Sequence, residues 1–286
     1  MSELETIRLV LSMGGQLHAS ISGGKDGQAM TKYLVKNGLP ISSLIHCDLG
    51  RVEWPQSIQM CEKQAKEFGL PLNKLTRTDG LDLLAYWERR KNKLAGQNKP
   101  FWSSADNRYC TSDLKRAVAD KYFTSVGCNL IVSCEGIRAQ ESKSRAKKSP
   151  LSIRKSKTSK FYSGMTVLEA LANYNPNKRL TLNYYPIFHY SIEDVWGSYG
   201  MSSTDLVTAR IIYKSTGVVP EWWKFHPAYV FGNDRVSCMF CVLACLGDLS
   251  CGAKHNPELL STLISWEVET GFTFKNNWSL KNLLTQ

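Results

Sequence analysis

Three stretches of this chain hold residue types whose spacing suits chemistry. The first is "SGGKDG", residues 22–27. Glycines accept positive φ and let an anion approach the backbone, and successive N–H groups at a helix start hold phosphate. Lys25 adds a cation and Asp26 a carboxylate to the same turn. The pattern is neither a Walker A loop nor the dinucleotide fingerprint. A bare Ser-Gly-Gly turn is also compatible with an ordinary tight strand-to-helix connection. The second stretch is "CMFC", whose C-x-x-C spacing lets the Cys238 and Cys241 thiolates reach one metal centre. In the third, residues 143–160, "KSRAKKSPLSIRKSKTSK", carry eight Lys or Arg and no acid. It reads as a basic loop or hairpin, mobile when empty, suited to a phosphate-bearing partner.

The elements that position these stretches alternate. "QLHASIS" reads as a strand, "DGQAMTKYLVKNG" as a helix ended by Gly38, and "ISSLIHCDLG" as a second strand. "WPQSIQMCEKQAKEFG" has helical spacing, "PLNKLTR" suits a third strand, and a helix follows near "LDLLAYWERRKN". "CTSDLKRAVADKYFTSVG" reads as a helix and "NLIVSCEG" as a buried strand. This rhythm predicts a parallel sheet with helices on both faces. Beyond the basic stretch, "LNYYPIFHY" suggests a strand. "SIEDVWGSYG" follows as a helix capped by Ser191, then helices over "SSTDLVTARIIYKSTG" and, capped by Asn256, "NPELLSTLISWEVETG". The expected division is 1–140 for a nucleotide-binding core, 141–190 for the basic loop and return strand, and 191–286 for a small, mainly helical subdomain. There is no internal repeat.

Composition narrows the class. The 286 residues are 43% hydrophobic and 21% charged, as in a soluble globule rather than a disordered chain. No apolar run approaches the ~18 residues of a membrane span, and "MSELETIRLV" has no basic n-region of a signal peptide. A cytoplasmic location without membrane contact is therefore expected. In that reducing compartment the nine cysteines read as buried thiols, metal ligands or catalytic groups rather than disulfides. The +11 charge, 36 Lys and Arg against 25 Asp and Glu, favours polyanionic partners.

"SGGKDG" resembles the SGGxDS pyrophosphate-binding loop of the PP-loop ATP pyrophosphatases. Other stretches resemble the phosphoadenosine phosphosulfate (PAPS) reductase family within that superfamily. They are "HCDLGRVEWPQS", "RYCTSDLKR", "EGIRAQESKSRA", "YYPIFHYSIEDVW" and "HPAYVFGNDRVSCMFCVLA", in family order from about residue 18 to 274. The resemblance implies an α/β fold, an adenine nucleotide alpha-hydrolase-like parallel sheet with flanking helices. It implies that Ser22, Gly23, Gly24, Lys25, Asp26 and Gly27 hold the phosphates, with Asp26 also orienting Mg²⁺. Asp48 and Gly50 would lie at the end of the second strand, and Arg138 and Arg145 would grip a sulfate or phosphate. There are departures: Gly27 replaces the usual loop serine, and Leu49 and Gln56 replace a threonine and a glutamate of the second motif.

For the cysteines the resemblance implies a [4Fe–4S] cluster. Cys110 matches a ligand-bearing stretch, although Tyr109 stands where the family's cluster members carry a second cysteine. With Cys238 and Cys241, the fourth ligand would be Cys245 or Cys251, Cys251 being preferred on reach. The rival is zinc on Cys238, Cys241, Cys251 and His255. Cys47, Cys61, Cys128 and Cys134 read as core thiols.

Thiol-dependent PAPS reductases carry a nucleophilic cysteine in a C-terminal tail. This chain shows no cysteine after Cys251, so sulfonucleotide reduction would need Cys245 or Cys251 recruited. The expected activity is therefore that of the other branch: cleavage of ATP between its α and β phosphates, activating a substrate for sulfur transfer. The chain looks closest to the PAPS-reductase-like proteins of DNA phosphorothioation systems. That implies nucleic acid, through residues 143–160 with Trp102, Tyr109, Phe161 and Tyr162 for stacking, and a sulfur-donor protein such as a cysteine desulfurase. The basic stretch serves equally as a lid over one nucleotide's phosphates. A nucleotide-binding regulatory protein without turnover is the remaining alternative.

Overall fold

The computed structural model describes residues 1–285, which divide into two compact units. The first comprises Met1–His46, Ile58–Leu75 and Ala119–Thr208; the second comprises Cys47–Ser57, Thr76–Val118 and the described residues from Ala209 onward.

The first unit is an α/β layer structure. Its six strands are β1 (Gln16–Ser20), β2 (Ser43–Cys47), β3 (Leu72–Leu75), β4 (Leu130–Glu135), β5 (Leu151–Ile153) and β6 (Leu180–Tyr184). They lie in the order β3-β2-β1-β4-β6-β5. β1 pairs in parallel with β2 and β4, and β4 with β6, while β5 runs antiparallel along β6. The mainly parallel α/β sheet expected from the βα rhythm is the one found. Its central strands bury side chains on both faces, with Leu17, Ala19, Leu44, Ile131, Val132 and Cys134 at 0–1% exposure. Each fully buried aliphatic side chain contributes roughly 1.5–3 kcal/mol.

Flanking helices are fixed by local chemistry. α1 (Glu3–Ser12) opens on a capping box between Ser2 and Glu5. α2 (Lys25–Lys36) buries Ala29, Met30 and Leu34 against the sheet, and the helix Ile192–Gly197, capped by Ser191 as expected, packs on it. "LNYYPIFHY" is a strand only to Tyr184, because Pro186 has no N–H for the ladder. The basic stretch holds more structure than a mobile loop. β5 joins the sheet, and Arg154 is buried at 8% exposure with its guanidinium on Asp120 at 2.9 Å and Glu135 at 3.2 Å. A buried, doubly paired arginine anchors the stretch, whereas Lys143, Lys147, Lys148, Lys155 and Lys160 remain exposed.

The sheet also buries His18, whose Nδ1 meets Ser43 Oγ at 2.9 Å; that hydroxyl meets Tyr122 OH at 2.9 Å. Burial pushes the His18 imidazole down to about 4, so it is neutral.

The second unit is mainly helical. α3 (Gln56–Phe68) passes from it into the first unit, and α4 (Leu83–Leu94) is capped by Asp82. Later helices span Leu246–His255 and Pro257–Thr270, the latter capped by Asn256 as expected. Their apolar faces close over Trp87, Phe101, Trp102, Trp266 and Phe274. The expected single helix from Cys110 is broken: an α-turn Tyr109–Thr111 runs into a π-helical turn Ser112–Arg116 before the helix Ala117–Ser125. Among the described residues, no helix is long and apolar enough to cross a membrane.

Candidate functional site

Strand order reverses at β1: β2 and β3 lie to one side, β4 and β6 to the other. A parallel sheet opens a ligand crevice at such a switch point, beyond the carboxyl ends of its strands. "SGGKDG" follows β1 and "GIR" follows β4, so both segments meet at this crevice within the first unit.

The loop geometry follows from its glycines. Gly23 sits at φ +74°, where side chains are strained, and Gly24 is the N-cap of α2 without a side-chain cap bond. The first amides of α2 therefore have no competing cap oxygen from that residue, as an anion site requires. Ser22 is exposed, whereas Gly23, Gly24 and Lys25 are buried. Gly27 lies in the first turn of α2, and a Cβ there would meet nothing closer than Ile21 at 3.5 Å. A serine would fit, so the departure from the family pattern costs a hydroxyl without a steric cause. Gly136 is different. A Cβ on it would stand 2.7 Å from the Asp26 carbonyl carbon and oxygen and 3.0 Å from Gly27 N. Only glycine lets the β4 segment approach the loop this closely.

Charge organises the crevice. Asp26 Oδ2 accepts from Lys25 Nζ at 2.9 Å, and its Oδ1 from Arg138 Nε at 2.6 Å. Burial would raise the Asp26 pKa, but Lys25 and Arg138 outweigh it and hold the carboxyl below its ordinary range. Both cations are buried, at 5% exposure each. Lys25 Nζ stands 5.8 Å from the Trp196 ring centroid, and Arg138 Nη1 reaches Gln140 Oε1 at 3.1 Å. Asp26 thus orients Lys25 and Arg138, with both oxygens engaged. Arg145 pairs instead with Glu141, four residues back in the chain. The loop and Arg138 are brought together, and Arg145 is linked to Arg138 through Glu141, whose Oε2 accepts the Arg138 N–H at 2.9 Å.

Asp48 and Gly50 belong to the second unit, where Asp48 Oδ1 accepts the Gly50 N–H at 2.8 Å. Gly50 adopts φ +70° and lies tightly against Asp82, which also ion-pairs with Arg51.

The cysteines sort by exposure. Cys61 and Cys134 are buried core thiols, as expected, but Cys47 and Cys128 are only half-buried. Cys47 sits at the end of β2 and donates to the Lys115 carbonyl at 3.6 Å, which takes it out of the apolar core pattern. Cys110, Cys238 and Cys241 are also half-buried, Cys245 is exposed and Cys251 buried. Burial pushes the Cys238 thiol up, against the opposing pull of Lys115, with Cys241, Glu53 and Cys110 nearby. Burial alone would lower the Lys115 ammonium; Cys238, Glu53, Cys47 and Cys110 around it raise it instead. Cys251 has other neighbours. Burial pushes its thiol up to about 11, beside Asp248, Lys254, Arg210 and the Asn233 backbone.

The donor chemistry tests which metal group fits. A tetrahedral zinc site holds its sulfurs about 3.8 Å apart. Among the described residues, no cysteine belongs to a group of three or more metal-capable donors within 4.8 Å of one another. His255 is stacked on Phe231 at 4.2 Å, with Trp54 at 5.6 Å. Half-buried thiols around the half-buried Lys115 ammonium are of a kind that could hold an iron–sulfur cubane, whose negative charge that cation would offset.

Sequence reading missed Gly136, Trp196, Arg154 and Lys115. All four lie inside quoted motifs or the basic stretch, but their roles depend on tertiary neighbours. The family model described as Phosphoadenosine phosphosulfate reductase domain matches residues 16–208. That span holds the loop, Gly136, Arg138 and Arg145, while Cys238, Cys241 and Cys251 lie beyond it. No curated protein matches the chain.

Proposed function

The chain belongs to the phosphoadenosine phosphosulfate reductase domain family, and on that premise we propose that it binds ATP at the β1–β4 crevice and cleaves the α–β bond to activate an acceptor for sulfur transfer. The observation that carries this reading is the Lys25–Asp26–Arg138 cluster at the start of α2. Its two buried cations are held ready by one carboxylate. Incoming phosphate oxygens compete with that carboxylate for the same donors, so the cations need little reorganisation to stabilise charge as pyrophosphate leaves. The amides of Gly23 through Gly27 bind the phosphate chain, and Mg²⁺ arrives as part of the Mg–ATP substrate. Arg145 closes on the nucleotide from the rim by exchanging Glu141 for phosphate. No protein nucleophile is required.

Cysteine placement favours this branch over sulfonucleotide reduction. Cys251 is buried with a raised pKa, which leaves little thiolate, and Cys245 Sγ accepts the Asp248 N–H at 3.4 Å as a helix cap. Neither is poised for attack. Cys110, Cys238 and Cys241 would hold an iron–sulfur cluster, which supplies electron transfer or a docking point for sulfur.

The acceptor we propose is a nucleic acid, supported by the exposed lysines of residues 143–160 and by Phe161, 48% exposed beside them. The other expected stacking residues are spent elsewhere. Trp102, Tyr109 and Tyr162 are 4%, 5% and 2% exposed.

The test is anaerobic incubation with Mg–ATP, or with PAPS and reduced thioredoxin. AMP and pyrophosphate are expected from the first. Sulfite from the second would replace this reading with reduction. Tight ATP binding without either product would reduce the protein to a nucleotide sensor.

A further inference from the structure

We infer that Cys47, not Cys251, is the fourth thiolate of the cysteine site built from Cys110, Cys238 and Cys241. This rests on the iron–sulfur reading above and assigns a ligand that C-x-x-C spacing could not reveal.

Three segments of the second unit run together. Residues 47–53 carry Cys47 at one end and Glu53 at the other. Glu53 forms a backbone bridge with Cys238, and Met239 N–H donates to the Val52 carbonyl at 2.9 Å. The segment bearing Cys47 is thereby laid against the segment bearing the C-x-x-C pair. At its other end, Cys47 Sγ lies 3.6 Å from the carbonyl of Lys115. Lys115 stands five residues after Cys110, across the π-helical turn Ser112–Arg116. Such a turn inserts an extra residue into a helix and recurs at functional sites. The Cys47 thiol at one end and the Glu53 bridge at the other thus place residues 47–53 against both partner segments.

Exposure separates the candidates in the same way. Cys47, Cys110, Cys238 and Cys241 are all half-buried. Cys251 is 6% exposed within the helix Leu246–His255. Its neighbour Gly252 presses on the Met239 carbonyl, so the helix packs against the loop through Gly252 while the Cys251 thiol meets Asn233 and Asp248. Lys115 lies beside Cys47, Cys110 and Cys238 and offsets the negative charge that four thiolates bring to a cluster.

The test compares wild-type protein with Cys47→Ser, Cys238→Ser and Cys251→Ser, each purified and reconstituted anaerobically with iron and sulfide. Iron, acid-labile sulfide and absorption near ~400 nm are read for each. Cys47→Ser and Cys238→Ser are expected to lose roughly tenfold or more of the wild-type iron, with Cys251→Ser close to wild type. As a readout independent of any variant's folding, loaded wild-type protein is alkylated under native conditions before and after iron is stripped. Cys47 should be protected before stripping and labelled after it. Full iron in Cys47→Ser, or equal labelling of Cys47 in both states, overturns the assignment while leaving the cluster standing. A wild-type protein that takes up no iron overturns the cluster reading itself, and this assignment with it.

Discussion

Replacing Gly136 by alanine tests the proposed crevice at its tightest point. The added methyl would stand 2.7 Å from the Asp26 carbonyl carbon and oxygen, against an ordinary carbon contact of about 3.5 Å. The shortfall is about 0.8 Å, and the atoms met are backbone of Asp26 and Gly27 in the first turn of α2. No side chain can rotate away to absorb it. Overpacking of this kind costs about 1–3 kcal/mol. The backbone must retreat by several tenths of an ångström, moving the amides that would face phosphate and lengthening the 2.6 Å Asp26–Arg138 contact. Misplaced donors of this type cost about 1–3 kcal/mol in binding, so the Kd for ATP should rise roughly 5- to 150-fold. The assay is calorimetric titration with Mg–ATP alongside urea denaturation. Gly27→Ala is the matched control, because its Cβ meets nothing closer than 3.5 Å. It should hold stability or gain about 0.5–1 kcal/mol from the helix propensity of alanine. Wild-type affinity and stability in Gly136→Ala would refute the close-approach argument.

Three other outcomes follow from the same physics. Arg154→Met leaves Asp120, 7% exposed, without its cation, and should cost about 3–5 kcal/mol in urea denaturation while opening residues 143–160 to proteolysis; a loss under ~1 kcal/mol would show that the pair anchors nothing. His18 and His226 are buried and neutral, their pKa values lowered by desolvation from 6.5 to about 4. Unfolding lets them protonate, so their contribution is complete above pH 6.5 and is lost as pH falls towards 4, by about 2 kcal/mol each at pH 5. Denaturation midpoints that do not change between pH 7 and 5 would contradict this. Phe161→Ala should weaken single-stranded nucleic acid binding by about 1–3 kcal/mol without changing ATP affinity, measured by fluorescence anisotropy; an unchanged Kd for the strand would remove Phe161 from the interface.

Elements were legible where one local rule decided them. The capped helices at Ser191 and Asn256 begin where an N-cap residue precedes an apolar run, and β4 is a continuous buried run. The loop at 22–27 was legible too, because glycine placement at a strand-to-helix junction is a local signal. What it touches was not. Arg138 and Asp26 are 112 residues apart, and nothing in either motif says that the arginine faces the carboxylate. Gly136 carries the same lesson: its need for a missing side chain comes from the backbone of α2, which no window around "EGIR" contains. The basic stretch misled because charge counting treats every arginine as solvated, and one buried acid, Asp120, was enough to recruit Arg154 into the fold.

The cysteines show why spacing is a poor guide to a site assembled from separate segments. Proximity along the chain points to Cys245 and Cys251, which follow closely on Cys238 and Cys241 in sequence. On the proposed assignment helix formation overrides that proximity: with Leu246–His255 helical, Gly252 takes the close contact with Met239 and the thiol of Cys251 faces Asn233. Cys47 looked like core because "LIHC" continues an apolar strand, yet a strand's last residue leaves the sheet and takes its surroundings from the next segment. Here that segment is paired to Cys238 through Glu53. The proposed assignment therefore rests on the backbone pairing of the segments that bear the thiols rather than on their proximity in sequence.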